Sequence, residues 1–97
     1  MKTTAEYIHL LKHYLSENGA KYGITRMGIF GSVARKQQNE DSDVDICYEG
    51  VPPSLLTLSK IQEELEDLLG CPVDMVRIRD NMNRYLKERI NREAIYV

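Results

Sequence analysis

Gly31-Ser32 is followed, after ten intervening residues, by Asp43-Val44-Asp45, and a third carboxylate, Asp74, sits inside the short apolar run Val73–Ile78. Together these residues could supply what chemistry on a nucleoside triphosphate needs. One requirement is a backbone cradle for phosphate; the other is a set of carboxylates able to hold divalent metal. Glycine lets the backbone approach a phosphate with no Cβ in the way. Where a strand runs into a helical turn, exposed N–H groups and the positive end of the helix dipole favour an anion. Ser32 adds a hydroxyl donor, and Arg35 and Lys36 bring positive charge within one helical turn. The segment is not a P-loop, because the G-x-x-x-x-G-K-[ST] spacing is absent. Taken alone, Gly31-Ser32 also describes an ordinary tight turn.

Asp43 and Asp45 are two apart, so on a strand their carboxylates share a face, roughly 7 Å apart at the backbone. Like charges that close raise each other's proton affinity unless a cation intervenes. Hard oxygen ligands suit Mg2+ or Mn2+. A solvated acidic loop is the competing account, since Glu40, Asp41, Asp43 and Asp45 form one acidic stretch; Asp41 is assigned to that loop. Asp74 lies among Val73, Met75, Val76 and Ile78. In a buried strand a carboxylate is costly unless it is paired or binds metal. Asp74 is therefore expected to be a ligand, with a salt bridge to Arg77 or Arg79, or an edge strand facing water, as the alternatives. Strict alternation places it on the face of Val76 and Ile78.

These residues must be carried by a scaffold. A helix is predicted from about Thr4 to Glu17. Thr3 and Glu6 form a capping box, Tyr7, Leu10, Leu11, Tyr14 and Leu15 recur on one face, and Gly19 is the expected stop. Ile24 to Phe30 reads as a strand entering the glycine turn, followed by a helical turn over Ser32–Lys36 and a polar loop over 37–42. Asp43 to Tyr48 reads as a second strand, with Val44, Ile46 and Tyr48 opposite Asp43, Asp45 and Cys47. Gly50-Val51-Pro52-Pro53 breaks the chain. Ser54 caps a helix to about Leu69, with Leu58, Ile61, Leu65 and Leu68 as its stripe and Gly70 after its end. Cys71 to Ile78 is a third strand, and Asp80 is expected to cap a last helix carrying Met82, Tyr85, Leu86, Arg89 and Ile90. The fold class is α/β (α+β): one domain over 1–97, a small mixed β-sheet packed with helices.

Composition narrows the function. A chain of 97 residues buries only roughly 60–65% of its unfolded surface, so it has one modest core. A net charge of −2 argues against bulk attraction to nucleic acid or to anionic membrane. No apolar stretch is long enough to span a bilayer, and residues 1–6 lack the apolar segment of a secretory signal. Cys47 and Cys71 read as reduced thiols rather than a disulfide, and the location expected is cytoplasmic.

The phrases Ile29-Phe30-Gly31-Ser32-Val33-Ala34-Arg35, Ser42-Asp43-Val44-Asp45-Ile46 and Val73-Asp74-Met75-Val76 resemble the polymerase-β-type nucleotidyltransferase superfamily. The short length is similar to the minimal nucleotidyltransferases, antitoxins of two-gene modules whose partner is an all-helical HEPN-domain toxin. The likeness spans about Ile29 to Ile78 and includes the ending Glu93-Ala94-Ile95-Tyr96-Val97. Lys36 departs from it, since many relatives have glycine there. The resemblance implies that Asp43 and Asp45 bind two Mg2+ ions and that Asp74 completes one metal site and accepts the proton of the attacking hydroxyl. It implies that Gly31 and Ser32 hold the β- and γ-phosphates of ATP, with Arg35 and Lys36 beside them. The implied activity is transfer of AMP to a hydroxyl of a HEPN toxin, that of a tyrosine, with loss of pyrophosphate.

Two other functions are compatible with the chain. It could neutralise a partner by stoichiometric contact without turnover, or it could transfer a nucleotidyl group to a small molecule or an RNA end. An Asp43→Asn change separates the first from catalysis, and a labelled-ATP assay with candidate acceptors exposes the second. His9 and His13 have metal-ligand spacing but no third ligand, and read as a solvated helix face. Arg77, Arg79, Arg84, Lys87, Arg89 and Arg92 make the C-terminal third locally basic. This is a solvated helix face or, at Arg77 or Arg79, help for a triphosphate or an acidic partner surface. Leu55, Leu56 and Leu69 widen the apolar surface of the third helix and could leave a docking patch.

Overall fold

The computed structural model describes all residues from Met1 to Val97. Helix α1 spans Thr4–Tyr22, and Thr3 and Glu6 form the expected capping box at its start. The helix runs past Gly19 to a left-handed Gly23 at φ 70°. Gly19 is buried inside it, because a Cβ there would meet Leu15 Cδ1 at 2.9 Å and Ile24 O at 3.0 Å. The predicted stop is thus a point of close approach between α1 and the strand that follows. That strand, β1 (Ile24–Phe30), leads directly into the four-residue helix α2 (Gly31–Ala34).

Strand β2 (Val44–Gly50) returns antiparallel to β1. It starts one residue later than expected and ends two later, so Asp43 lies just outside it. Helix α3 (Leu55–Leu69) has Ser54 at its N-cap and a left-handed Gly70 at its end. It carries the chain across to β3 (Val73–Arg77), which pairs parallel with β2. Helix α4 (Arg84–Glu93) is capped by Asn83, whose Oδ1 accepts from the Leu86 N–H. Asp80 is not the cap, and Met82 lies in the turn ahead of the helix. A two-residue strand, β4 (Ile95–Tyr96), then pairs with the free edge of β1.

The sheet order is β3-β2-β1-β4, and both faces are covered. Tyr7, Leu11 and Tyr14 of α1 and Ile61, Leu65 and Leu69 of α3 pack on Met27, Ile29, Val44, Ile46, Tyr48 and Val73. Burying side chains of this size stabilises the fold by roughly 1.5–3 kcal/mol each before entropy is counted. On the other face, Phe30, Cys47, Met82 and Ile90 form a smaller core with Val76, Ile78 and Leu86 against them. Val76 and Ile78 are apolar for this reason, although they share a face with Asp74. Of the α3 leucines, Leu65 and Leu69 are buried, while Leu55 and Leu56 are 84% and 86% exposed.

Candidate active site

The site forms where β1 ends. Phe30 is the register partner of Asp45, and Asp45 is the register partner of Asp74. Neighbouring strands lie about 4.8 Å apart, so Asp45 and Asp74 stand side by side on the face that α4 covers. Gly31 turns the chain with φ at 76°, and a Cβ on it would overlap Asp45 Oδ2 and sit 3.0 Å from Asp45 Cγ. The glycine is therefore required twice, by a left-handed backbone and by a carboxylate lying against its Cα. The predicted phosphate turn and one predicted metal ligand are in contact.

Thr4 fixes the turn from below. It is the one buried polar side chain in the core, and its hydroxyl donates to Val33 O at 2.6 Å. Gln38 Nε2 donates to Thr4 Oγ1 and to Lys2 O, both at 3.3 Å. The Gln37 N–H donates to Ser32 O at 2.8 Å, closing the turn after α2. The leading N–H groups of a helix have no partner within it, and at this turn those groups belong to Gly31 and Ser32. Beyond the turn, Ser42 Oγ accepts from the Asn39 N–H at 2.9 Å and Ser42 N–H donates to Asn39 O at 3.0 Å, which shapes the approach to Asp43.

Electrostatics set Asp45 apart. Its proton affinity is raised, first by burial, then by Asp74, with Asp43 adding to the effect; Arg89 and Arg35 oppose it. Asp43 and Asp74 are both exposed. Asp74 sits on the edge strand and faces water, so the expectation of a buried carboxylate is corrected. As placed, no three acidic, cysteine or histidine side chains form a closed metal-binding group. The donor set nonetheless fits a hard divalent cation. Asp45 carries a charge that burial and two like neighbours disfavour, and a cation among the three carboxylates would relieve it. None of the five cavities is lined by Gly31, Ser32 or the three aspartates, so the site lies open at the strand ends rather than in a cleft.

Two cations flank the site. Arg35 pairs with Glu93 through Nη1 and donates from Nε to Gln37 Oε1 at 3.0 Å. Arg89, on α4, was not singled out as a site residue from the sequence; its guanidinium lies 5.6 Å from the Phe30 ring and donates to Glu93 Oε2 at 3.1 Å. Its i, i+4 spacing from Glu93 was legible, but its neighbourhood with Asp45 depends on how α4 crosses the sheet. Lys36 is exposed with φ at 59°, a left-handed conformation that favours glycine. Arg77 and Arg79 do not attend the carboxylates. Arg77 is paired with Tyr48, three residues along β3 from Asp74 and on the opposite side of the strand. Arg79 donates to Arg77 O at 3.1 Å. His9 and His13 are exposed, and His13 stands 3.9 Å from Glu17. Cys47 and Cys71 are free thiols, and burial pushes Cys47 up to about 11.

The nucleotidyltransferase domain model matches residues 11–97. The protein adenylyltransferase MntA of Thermococcus cleftensis is 36% identical over 99 residues, covering 100% of this chain and 98% of its own. A solved structure described provisionally as a minimal nucleotidyltransferase superposes with a TM-score of 0.79 at 35% identity, over 97% of this chain and 95% of the other. The MNT antitoxin in complex with a tri-AMPylated HEPN toxin of Shewanella oneidensis shares the fold, with a TM-score of 0.70 at 17% identity over 97% of this chain and 71% of the other. A family match over nearly the whole chain, a relative alike from end to end, and a glycine turn packed on a strand aspartate agree: this chain belongs to the nucleotidyltransferase family, within its minimal branch.

Proposed function

We propose that the chain transfers AMP from ATP to a hydroxyl of a partner protein, a tyrosine of a HEPN toxin, and so acts as its antitoxin. The carrying observation is the packing of Asp45 against Gly31 with Asp74 beside it. The glycine turn and two carboxylates lie together there, which supports reading the turn as the seat of the triphosphate and the carboxylates as metal ligands. The resemblance to the adenylyltransferase MntA and the shared fold of an antitoxin bound to an AMPylated HEPN toxin support the choice of acceptor.

Asp43, Asp45 and Asp74 are the residues that would hold two Mg2+ ions, which when bound supply Lewis-acid stabilisation of charge on the reacting phosphate and the leaving pyrophosphate. Gly31 and Ser32 hold the β- and γ-phosphates, and Arg35 and Lys36 neutralise their charge. Asp74 takes the proton of the acceptor hydroxyl, and its exposure leaves it open to a group delivered by another protein. The hydroxyl oxygen forms a bond to the α-phosphorus in line with the bond to pyrophosphate, which breaks. The products are an AMP ester of the acceptor and pyrophosphate. An open site suits an acceptor that brings its own binding surface. No helix is long and apolar enough to cross a membrane, and we place this activity in the cytoplasm.

The test is intact-mass measurement of the partner after incubation with Mg2+ and ATP. Mass increments of AMP that appear with the wild-type chain and vanish with Asp45→Asn support the reading. A neutralised partner of unchanged mass would sink it and favour stoichiometric binding.

A further inference from the structure

We infer that Glu93 is a positioning residue of the nucleotide site, clamping Arg35 and Arg89 where they meet the triphosphate. The inference rests on the nucleotidyl-transfer reading and adds to it a residue outside the carboxylate set.

Glu93 ends α4, and its side chain is only 10% exposed. One carboxylate oxygen accepts from Arg35 Nη1 and the other from Arg89 Nε at 3.1 Å. A single acidic group thus joins a cation that follows the phosphate turn in sequence to a cation on the helix covering the carboxylates. Local helix energetics do not explain it. The negative end of the helix dipole disfavours a carboxylate in the last turn. An acidic residue four positions after a basic one is the weaker order for a helical pair. Partial burial adds a desolvation cost that the two guanidinium groups must offset. What the arrangement does achieve is to fix two planar, always-charged forks on one side of Asp45. Arg35 also leans on Gln37 through Nε, and Arg89 stacks near the Phe30 ring. Each guanidinium keeps N–H donors beyond those given to Glu93. A triphosphate on the Gly31-Ser32 turn then meets donors already oriented, rather than long flexible chains that must be ordered on binding.

The experiment compares binding of AMP-PNP and of AMP, both with Mg2+, by calorimetry on the full chain. Glu93→Gln should weaken AMP-PNP roughly tenfold, the scale of one charged hydrogen bond. AMP, which lacks the β- and γ-phosphates, should change less than about twofold by the same arithmetic. Glu93→Asp, which keeps the charge on a shorter arm, should recover part of the loss. A general structural defect would weaken both ligands alike and would overturn the assignment. So would a Glu93→Gln chain that binds AMP-PNP as the wild type does, with the nucleotidyl-transfer reading left intact. A wild-type chain that binds no AMP-PNP would overturn that reading and this inference together. Should Glu93→Gln not fold, Arg89→Lys carries the same test. It keeps the charge but loses the fork, and undiminished AMP-PNP binding would overturn the clamp.

Discussion

In the proposed transfer Asp45 is the residue on which most of the chemistry turns, and its environment makes opposite demands on activity and stability. Burial and the charges of Asp74 and Asp43 raise its proton affinity in the folded chain. A raised carboxylate binds its proton more tightly folded than unfolded, so acid favours the fold. Without divalent metal, its contribution is fully present below the ordinary aspartate value of 3.8 and is lost as pH rises through the raised value. Glu93 runs the other way. Burial works against its charge, but hydrogen bonds and charges from Arg35 and Arg89 hold it below the usual range. Its contribution is present above the unfolded value and lost as pH falls through the lowered one. Asp45→Asn should therefore abolish AMP transfer and raise the melting temperature of the metal-free chain at neutral pH, with the gain shrinking in acid. Melting curves across the acid range in EDTA check this; a variant less stable than the wild type at neutral pH would contradict the electrostatic account. Gly31→Ala is the steric counterpart. A left-handed non-glycine residue costs about 1–3 kcal/mol. Its methyl group would also push Asp45 aside, and a misplacement of about 1 Å costs on the order of 100-fold in rate. Urea denaturation and an AMP-transfer assay on the same variant separate the two effects.

At the scale of elements, legibility followed locality. β1 was read with its observed limits, and α3 with its cap and stop, because apolar periodicity, Ser54 and Gly70 are signals carried within a few residues. Gly19 misled because a glycine in the middle of a helix and a glycine at its end look alike in sequence; only the approach of Ile24 O distinguishes them. β4 has two residues and no periodicity, and exists because the edge of β1 is there to pair with. Asp74 was placed on the correct face but at the wrong depth, since edge or centre is a property of the sheet order rather than of the strand. The link from Arg89 through Glu93 to Arg35 joins residues up to 58 positions apart and could not be read from spacing. Lys36 is the case where a departure noted in sequence acquired a cause, its left-handed φ of 59°. Lys36→Gly should remove a strain of about 1–2 kcal/mol and lose part of that gain to greater freedom of the unfolded chain. A net stabilisation of about 0.5–1 kcal/mol is expected from the urea midpoint, together with weaker triphosphate binding if its ammonium meets the phosphates.

For the molecule as a whole, the carboxylate edge makes stability and ligand binding two readings of one quantity. In the metal-free chain Asp74 and Asp43 both disfavour the charge on Asp45, beside a modest core that has little stability to spare. A ligand that binds only the folded state stabilises it by RT ln(1 + [L]/Kd), about 2.7 kcal/mol at a hundredfold excess over Kd. A domain of this size moves about 4–8 °C in melting temperature for each kcal/mol. Saturating Mg2+ with AMP-PNP should thus raise the midpoint by about 10–20 °C. Neither component alone should do as much, because the triphosphate without metal adds negative charge to the aspartates and the metal without triphosphate would lack the phosphate oxygens. Asp45→Asn should start from a higher midpoint and show almost none of the shift. That crossing of the two curves is the decisive outcome. A chain stabilised equally by AMP-PNP with and without Mg2+ would mean that the nucleotide rests on the glycine turn and the arginines alone, leaving the aspartates without a part in holding it.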